Sequence, residues 1–319
     1  MLTSLVNPRN WFAEAIATFG LVFFGPLSVI LSVAVFGDGL SIESILMISL
    51  GHGAIIALMV YAFGHISGAH INPAVTIPMM ITKKIGVADG IGYIVFQVIG
   101  GIIASLSLIA LFPEIGKAVL WGGHGGPSEL LNFSTGSAFV VEIILTFFLV
   151  LVIFMTAVHK KAPKGIAGAS IGGVVFLLHL VGVPLTGASM NPARSFAPAI
   201  TTGDPGLLEI QWLYWVAPIV GGIIGAVIMN YVFVNKDEAK TKSISRSTSK
   251  SQKLEQYEKQ YLSRLEKEPA KEETKKAPKP RRTRAKKSNP QSDLEKYEKK
   301  YLARLENQAQ QEAVSTDEE

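Results

Sequence analysis

Two similar stretches decide the fold: residues 67–75 read Ser-Gly-Ala-His-Ile-Asn-Pro-Ala-Val, and residues 186–195 read Thr-Gly-Ala-Ser-Met-Asn-Pro-Ala-Arg-Ser. Each Asn-Pro-Ala lies in a long stretch almost free of charge, residues 44–82 and 165–203, in which Arg194 is the one formal charge. Such a stretch is too long for one membrane helix of roughly 20 residues and tight for two. We therefore predict, in each, one full transmembrane helix followed by a half-length helix that enters the membrane and turns back.

Four further apolar stretches each fit one transmembrane helix of about 20 residues. They are residues 10–37, which contain Glu14, residues 90–113, residues 130–159, which contain Glu142, and residues 210–235. Helices on a soluble surface carry a charged stripe at the 3.6-residue period, and these stretches lack one, which argues against a soluble helical protein. The predicted fold is an all-α membrane protein with six transmembrane helices and two re-entrant half-helices.

The composition changes abruptly near residue 235, so we predict a membrane domain over residues 1–235 and a charged cytoplasmic tail over residues 236–319. The first part holds 8 of the 30 basic and 9 of the 25 acidic side chains with all 30 glycines, and the second holds 22 basic and 16 acidic side chains. The net charge of +5 therefore describes neither part. The chain has no cysteine, which excludes disulfides and thiolate metal sites.

Basic residues in the loops predict the orientation in the membrane. Arg9, Lys83, Lys84, the lysines within residues 160–164 and the whole tail fall on one side, and Lys117 alone falls on the other. Because cytoplasmic loops are enriched in Lys and Arg, both termini are predicted to be cytoplasmic. The first apolar stretch is too long for a cleaved signal peptide, so we interpret it as the first span of a multi-pass protein of the cell membrane.

The two halves of the membrane domain repeat each other. Residues 93–104 align without gaps on residues 214–225, and the two Asn-Pro-Ala segments lie 119 residues apart. Glu14 and Glu142 occupy matching positions in the first span of each half. Each half has three full spans, an odd number, so the halves must be inverted relative to each other, and their irregular segments must meet at the membrane centre.

Asn-Pro is a favourable start for a helix, since the asparagine side-chain oxygen caps the first turn and proline suits the first helical position. The half-helices are predicted to begin at Asn72, Pro73 and Ala74 in the first half and at Asn191, Pro192 and Ala193 in the second. Their positive ends would face each other, and each asparagine amide would be free to donate into a lumen. Such a centre accepts a lone pair and repels cations.

The segments before the half-helices, residues 64–71 and 184–190, are predicted to be extended, with carbonyl groups turned into a water-filled lumen. Glu14 and Glu142 are costly in a membrane unless they are paired, so we expect each to accept backbone N–H groups of one of these loops. A single Asn-Pro is usually a turn, and a lone intramembrane glutamate is also compatible with a proton relay. Two Asn-Pro-Ala segments and two buried glutamates, at equivalent positions of an inverted repeat, favour a channel.

These two loops resemble the signature loops of the aquaporin, or major intrinsic protein, family, and the resemblance covers residues 10–235 in order and spacing. It implies a bundle of six helices and two half-helices, a pore in each subunit and a homotetramer. It also implies a passive channel, with no enzymatic reaction and no cofactor. The family divides into water channels and wider glycerol facilitators.

Four positions set the narrow filter of that family, and the resemblance carries them over to His52, His179, Ala188 and Arg194. Histidine at the second position resembles the water channels, since glycerol facilitators usually have glycine there. Ser195 agrees, because the glycerol branch has Asp at that position. The resemblance therefore favours a water channel of the bacterial type.

His52 departs from that pattern, because bacterial water channels typically have phenylalanine there. It resembles the vacuolar branch of plants, some of whose members also pass ammonia, urea or hydrogen peroxide. The alternatives to water are therefore glycerol and these small neutral solutes. In the expected mechanism, water passes in single file along loop carbonyls, the two asparagines and the donors Arg194 and His179, while ions and protons meet an uncompensated positive field.

The tail contains two copies of a short amphipathic repeat, residues 254–266 and 294–306, separated by a basic block at residues 275–287. By composition the tail is expected to be mostly disordered in isolation. Its basic residues favour anionic lipid as a partner over nucleic acid, because tyrosines at helical spacing fit a helix face better than a base-stacking platform. A membrane scaffold that acts through this tail is the remaining alternative to a channel.

Overall fold

The computed structural model describes residues 7–37 and 39–235 and six tail residues, Gln252, Glu255, Gln256, Lys259, Ser263 and Lys299. Its helices are α1 (Pro8–Phe36), α2 (Ile42–Phe63), α3 (Pro73–Ile81), α4 (Val87–Leu111), α5 (Ile115–Ala118), α6 (Thr135–Ile153), α7 (Ala167–Thr186), α8 (Pro192–Thr202), α9 (Pro205–Glu209) and α10 (Gln211–Met229). Two π-helical turns, Phe154–Val158 and Asn230–Val234, continue α6 and α10. Two 3₁₀ turns, Leu120–Gly122 and Glu129–Leu131, lie between α5 and α6.

Six of these elements are long and apolar enough to cross a membrane, with mean hydropathy between 1.9 and 2.9. They are α1, α2, α4, α6 with its π-turn, α7, and the stretch Pro205–Val234 that contains α9 and α10. The helices α3 and α8 have 9 and 11 residues and are half-length. The described part of the chain contains no β-strand. The predicted all-α fold of six spans and two half-helices is therefore confirmed.

The helices have an apolar exterior, and their charged and polar side chains lie in the interior among apolar ones, as expected where lipid is the solvent. Large apolar side chains are exposed on all six spans, for example Phe12, Leu58, Val95, Phe148, Leu177 and Val216. Glu14, Gln97, Glu142 and Arg194, in contrast, are at most 3% exposed. This distribution supports the prediction of a multi-pass membrane protein.

Glycines bring the helix backbones of each half into contact at equivalent positions. Gly100 of α4 lies against the carbonyl oxygen of Ala15 in α1, and the aligned Gly221 of α10 lies against that of Ile143 in α6. A Cβ atom at either glycine would overlap the carbonyl, so only glycine allows this approach. The inverted repeat is thus present in the packing as well as in the sequence.

The next glycine in each aligned segment holds a half-helix. Gly101 of α4 faces the carbonyl oxygen of Ala193 at the start of α8, and Gly222 of α10 faces that of Ala74 at the start of α3. Each half of the chain therefore supports the half-helix of the other half, and this crossing brings the two Asn-Pro-Ala segments together.

The loops before the half-helices differ in part from the prediction of extended backbone over residues 64–71 and 184–190. Residues 64–67 form turns, and α7 continues through Pro184 to Thr186. Ser128 caps the end of this helix, because its N–H and hydroxyl donate to the carbonyl groups of Leu185 and Pro184 at 2.9 and 2.7 Å. The prediction is wrong for the first part of each segment, and in the second part several residues have positive φ in place of extended backbone.

The chain forms two compact units, residues 1–253 and 254–319. The described tail residues are helical, and Lys259 Nζ lies 3.5 Å from Glu255 Oε1, one helical turn earlier. The Leu and Tyr residues of the repeats at 254–266 and 294–306, and the basic block at 275–287, lie outside the described residues. The amphipathic faces, and the domain boundary after residue 235, stay predictions.

Candidate channel site

The two Asn-Pro-Ala segments meet where their half-helices begin. Each asparagine Oδ1 accepts the N–H two residues further on, at 2.8 Å for Asn72 and 3.1 Å for Asn191, and so caps its own helix. Each Nδ2 donates across to the other loop, from Asn72 to Met190 O at 2.7 Å and from Asn191 to Ile71 O at 3.0 Å. An amide carries two hydrogens, so one of each pair is already bound. The prediction that each amide is free to donate into the lumen therefore applies to its second hydrogen only.

The loop before each half-helix places non-glycine residues at positive φ. Ala69 and Ile71 have φ of 48° and 60°, and their equivalents Ala188 and Met190 have φ of 58° and 51°. These values lie in the left-handed region, which costs non-glycine residues about 1–3 kcal/mol each unless the surroundings hold them there. Both loops must therefore be stabilised from outside.

Buried carboxylates supply that stabilisation. Each accepts two backbone N–H groups and one hydroxyl group from the loop of its own half. The donors to Glu14 are Ser67 Oγ, His70 N and Ile71 N, at 2.6, 2.9 and 2.6 Å, and the donors to Glu142 are Thr186 Oγ1, Ser189 N and Met190 N, at 2.6, 2.9 and 2.9 Å. Hydrogen bonds to a charged group contribute about 1.5–3 kcal/mol each, enough to offset the positive φ values.

The symmetry between the halves breaks at one side chain. Gln97 Nε2 donates a further hydrogen bond to Glu14 at 2.8 Å and also reaches Thr76 Oγ1 at 3.1 Å. The residue aligned with Gln97 in the second half is Pro218, which has no side-chain donor. Ser195, the equivalent of Thr76, must therefore find a different partner.

Three of the four predicted filter residues lie together at one end of the lumen. The rings of His52 and His179 stack with their centroids 4.3 Å apart, and Arg194 Nη2 lies 3.2 Å from His52 Nε2. Gly25 of α1 leaves the room for His52, since a Cβ there would lie 2.6 Å from His52 Nε2. The fourth residue, Ala188, is fully buried and is not among the described residues that line the cavity. Its role in the filter stays a prediction.

Hydrogen bonds define what the two rings offer to the lumen. Nδ1 of His52 contacts Ile48 O, and Nδ1 of His179 contacts Val175 O, both at 2.8 Å. A carbonyl oxygen only accepts, so each Nδ1 carries the hydrogen and Nε2 of the neutral ring is an acceptor. Arg194, which only donates, faces Nε2 of His52 accordingly. The neutral ring of His179 thus offers an acceptor, and the predicted donor at this position would require the protonated ring.

A cavity of about 350 Å³ runs from this filter past both asparagines. Lys84, Ile85 and Val158 line its other end. Within the described residues, no group of three His, Cys, Asp or Glu side chains could hold a metal ion. The cavity has polar groups at the filter and at the two helix starts.

The sequence matches the family described as Major intrinsic protein over residues 1–229. The chain belongs to this family. Members of the family are passive channels, and they are not enzymes.

Relatives in the major intrinsic protein family carry two kinds of name. Aquaporin Z of Photorhabdus laumondii is 39% identical over 233 residues, which cover 72% of this chain and 99% of the relative. Glycerol uptake facilitator protein-like 6 of Lactiplantibacillus plantarum is 40% identical over 218 residues, which cover 68% of this chain and 95% of the relative. Aquaporin-4 of Rattus norvegicus is 42% identical over 197 residues, which span 61% of this chain and only 59% of the rat protein.

A solved structure has the same fold. It is the X-ray structure of the aquaglyceroporin from Plasmodium falciparum, with a TM-score of 0.63, 22% identity, and coverage of 73% of this chain and 99% of that chain. At this level of identity the likeness concerns the fold alone, which it supports independently of the sequence match.

In this major intrinsic protein, the segment between the two halves also reaches the filter, and sequence reasoning missed it. We call residues 122–128 the connecting segment. Arg194 Nη1 donates to Gly122 O at 2.5 Å, and His124, only 3% exposed, lies 2.7 Å from Ser195 Oγ and 3.1 Å from Gly187 O. The available signal was a single histidine with two glycines on each side.

Two tyrosines were also missed as site residues, although both open the aligned segments of the repeat. Tyr93 donates to Ser67 O and Tyr214 to Thr186 O, both at 2.7 Å. Each tyrosine therefore fixes the backbone at the beginning of the loop in its own half, next to the hydroxyl that binds the carboxylate.

Proposed function

We propose that this chain forms a water-selective channel that excludes ions and protons. The observation that carries the proposal is the filter, in which His52 and His179 stack beside a guanidinium, Arg194, that is bound to a carbonyl and a ring nitrogen. A guanidinium inside a membrane is expensive and is retained where it acts on the pathway. A fixed positive charge beside two rings suits a small neutral solute with both donors and acceptors.

Water fits the sequence of polar groups along the lumen. It would accept from Arg194, donate to Nε2 of His179, and accept the remaining amide hydrogens of Asn72 and Asn191, so the loss of bulk hydrogen bonds is largely offset. A cation lacks this compensation. It would also meet Arg194 and two helix N-termini, each equivalent to roughly +0.5 charge.

Glycerol is the second candidate, together with ammonia, urea and hydrogen peroxide. The observation in its favour is the 40% identical relative that is named a glycerol uptake facilitator protein. The small side chain of Ala188 would also leave the filter roomier. The stacked pair of His52 and His179 favours water, because two rings take up more of the filter than one ring and a glycine would.

Stopped-flow light scattering of proteoliposomes tests the choice. With sucrose as the impermeant osmolyte, vesicles that contain the channel should shrink much faster than empty vesicles. With glycerol, they should shrink equally fast and then swell no faster than empty vesicles. Fast swelling would support the glycerol facilitator instead, and shrinkage no faster than that of empty vesicles would support the scaffold.

We also infer a homotetramer in the cell membrane with both termini in the cytoplasm and the tail on anionic lipid. The distribution of basic residues between the two sides supports this orientation. Attachment of an impermeant reagent to a unique cysteine near either terminus in sealed cells would contradict it, because cytoplasmic sites are protected.

A further inference from the structure

We propose that His124 is a positioning residue that sets the width of the filter by keeping the connecting segment, and through it Arg194, in place. The inference rests on the proposed function as a selective channel, and it assigns part of the selectivity to a residue outside the filter itself.

Arg194 depends on few contacts for its position. Nη1 donates to Gly122 O, Nη2 faces His52 Nε2, and Nε has no protein partner within the described residues. A long, flexible side chain that is bound at two nitrogens changes direction when either of its two partners moves. The carbonyl group of Gly122 is one of the two, so its position sets the direction of the guanidinium.

On the N-terminal side that carbonyl group is held by the 3₁₀ turn Leu120–Gly122, in which the N–H groups of Gly122 and Gly123 donate to Val119 O and Leu120 O at 2.8 and 2.9 Å. Residues 122–126 read Gly-Gly-His-Gly-Gly, so His124 provides the one side chain in this stretch. Glycine gives the backbone great conformational freedom. The next attachment is the Gly126 N–H, which donates to the Tyr214 hydroxyl at 3.1 Å. His124 therefore provides the one side-chain contact between that attachment and Gly122, and its only neighbours in this interval are Gly123 and Gly125.

The hydrogen bonds of His124 have a fixed direction. Burial lowers the pKa of this ring well below its usual range, and the Arg194 charge lowers it further, so the ring is neutral. Gly187 O only accepts, so Nε2 carries the hydrogen and Nδ1 accepts from Ser195 Oγ at 2.7 Å. Ser189 Oγ then donates to Ser195 Oγ at 2.5 Å. The chain of bonds ties the connecting segment to the loop before α8.

The two halves of the repeat differ at the residue that binds the fourth residue after the asparagine, and this difference accompanies the His124–Ser195 hydrogen bond. In the first half, Gln97 on α4 binds Thr76 directly. In the second half, Pro218 stands at the aligned position, and Ser195 binds His124 from the connecting segment instead. His124 therefore takes the place of Gln97, and it belongs to the same connecting segment as Gly122, whose carbonyl group binds Arg194.

The test is the ratio of glycerol to water permeability of His124→Ala in proteoliposomes, with His65→Ala, an exposed histidine, as the matched control. We expect His124→Ala to raise the ratio by about fivefold, the scale of one lost hydrogen bond, and the control to leave it unchanged. Ser195→Ala removes the other partner and should act in the same direction. It carries the test if His124→Ala fails to fold.

Combination with Arg194→Val separates positioning from a merely structural role. If His124 acts through Arg194, His124→Ala adds nothing to the ratio in the Arg194→Val background. His124→Gln, which offers the amide that Gln97 uses in the first half, should restore much of the wild-type ratio. An unchanged ratio in both His124→Ala and Ser195→Ala, or an equal increase with and without Arg194, would overturn the proposal.

Failure of the His124 proposal can be distinguished from failure of the proposed water selectivity. A wild-type channel that conducts glycerol as readily as water contradicts water selectivity. The comparison of His124→Ala in the wild-type and Arg194→Val backgrounds still decides whether His124 acts through Arg194.

Discussion

Arg194 occupies a position that is unfavourable for a charged side chain. It is almost fully buried, its two bound nitrogens contact a carbonyl and a neutral ring, and it lies in the first turn of α8, where the helix dipole is also positive. Burial and the positive helix end disfavour a cation, and the two acceptors bind the guanidinium without neutralising its charge. This costly position supports the proposal that the fixed charge acts on what passes through the lumen.

Arg194→Val should leave the channel folded and should weaken the exclusion of larger solutes. The substitution removes the bulk and the charge of the guanidinium, so we expect glycerol permeability to rise by about tenfold, equivalent to about 1.4 kcal/mol. Stopped-flow swelling in glycerol and urea, with a proton-leak assay, measures the effect. Unchanged glycerol, urea and proton permeability in a well-folded variant would contradict the assignment of the filter.

Residue-level prediction from the sequence succeeded where the repeat supplied a second copy. Glu14 and Glu142 were predicted to bind the loops because they match, and both accept loop N–H groups in the structure. His124 has no counterpart in the other half, and its partners come from distant parts of the chain. A sequence gives no sign of such contacts in the absence of periodicity.

The two loops are elements whose shape is imposed by a carboxylate and not by local preference. Ala69, Ile71, Ala188 and Met190 disfavour positive φ, so their conformation could not be predicted from the sequence. The same reason explains why extended backbone was predicted there. The helices, in contrast, follow directly from the length of the apolar stretches.

Glu14→Gln and Glu142→Gln test the support of the loops. An amide nitrogen opposite a buried N–H leaves a donor unpaired, at about 1–3 kcal/mol. We expect lower thermal stability in detergent and reduced water flux, with the larger effect for Glu14, which also binds Gln97. The control is Glu129→Gln, an exposed carboxylate outside the loops. Equal stability of all three variants would contradict the role of the carboxylates.

Gly222→Ala tests the crossing of the two halves. Its Cβ would overlap the carbonyl oxygen of Ala74, at the start of α3, so overpacking should cost about 1–3 kcal/mol and displace Asn72. Gly173→Ala is the matched control, since a Cβ there meets nothing within 4 Å. The melting temperature should fall in Gly222→Ala and not in Gly173→Ala. Water flux should likewise fall only in Gly222→Ala. A melting temperature for Gly222→Ala equal to that of Gly173→Ala would exclude a tight α3–α10 contact.

For the whole molecule, the inverted repeat explains how a central site arises from two distant segments. Each half holds the half-helix of the other through Gly101 and Gly222, so neither half-helix is fully supported without both halves. The overall architecture could be predicted because the number of spans per half is odd. The connecting segment has no second copy, and its close approach to the filter follows from tertiary contacts alone.

The tail differs strongly in charge from the membrane domain, so its contribution to lipid binding can be tested separately from water conduction. Deletion of residues 240–319 removes nearly all of the 22 basic side chains of the tail but no residue of the filter or of the half-helices. Basic residues close to an anionic surface contribute about 1 kcal/mol each, and salt screens this attraction. We therefore expect the truncated channel in nanodiscs to lose salt-sensitive cosedimentation with anionic vesicles, while neutral vesicles show no difference. Water permeability per channel should be unchanged, and a decrease would mean that the tail contributes to the open pathway.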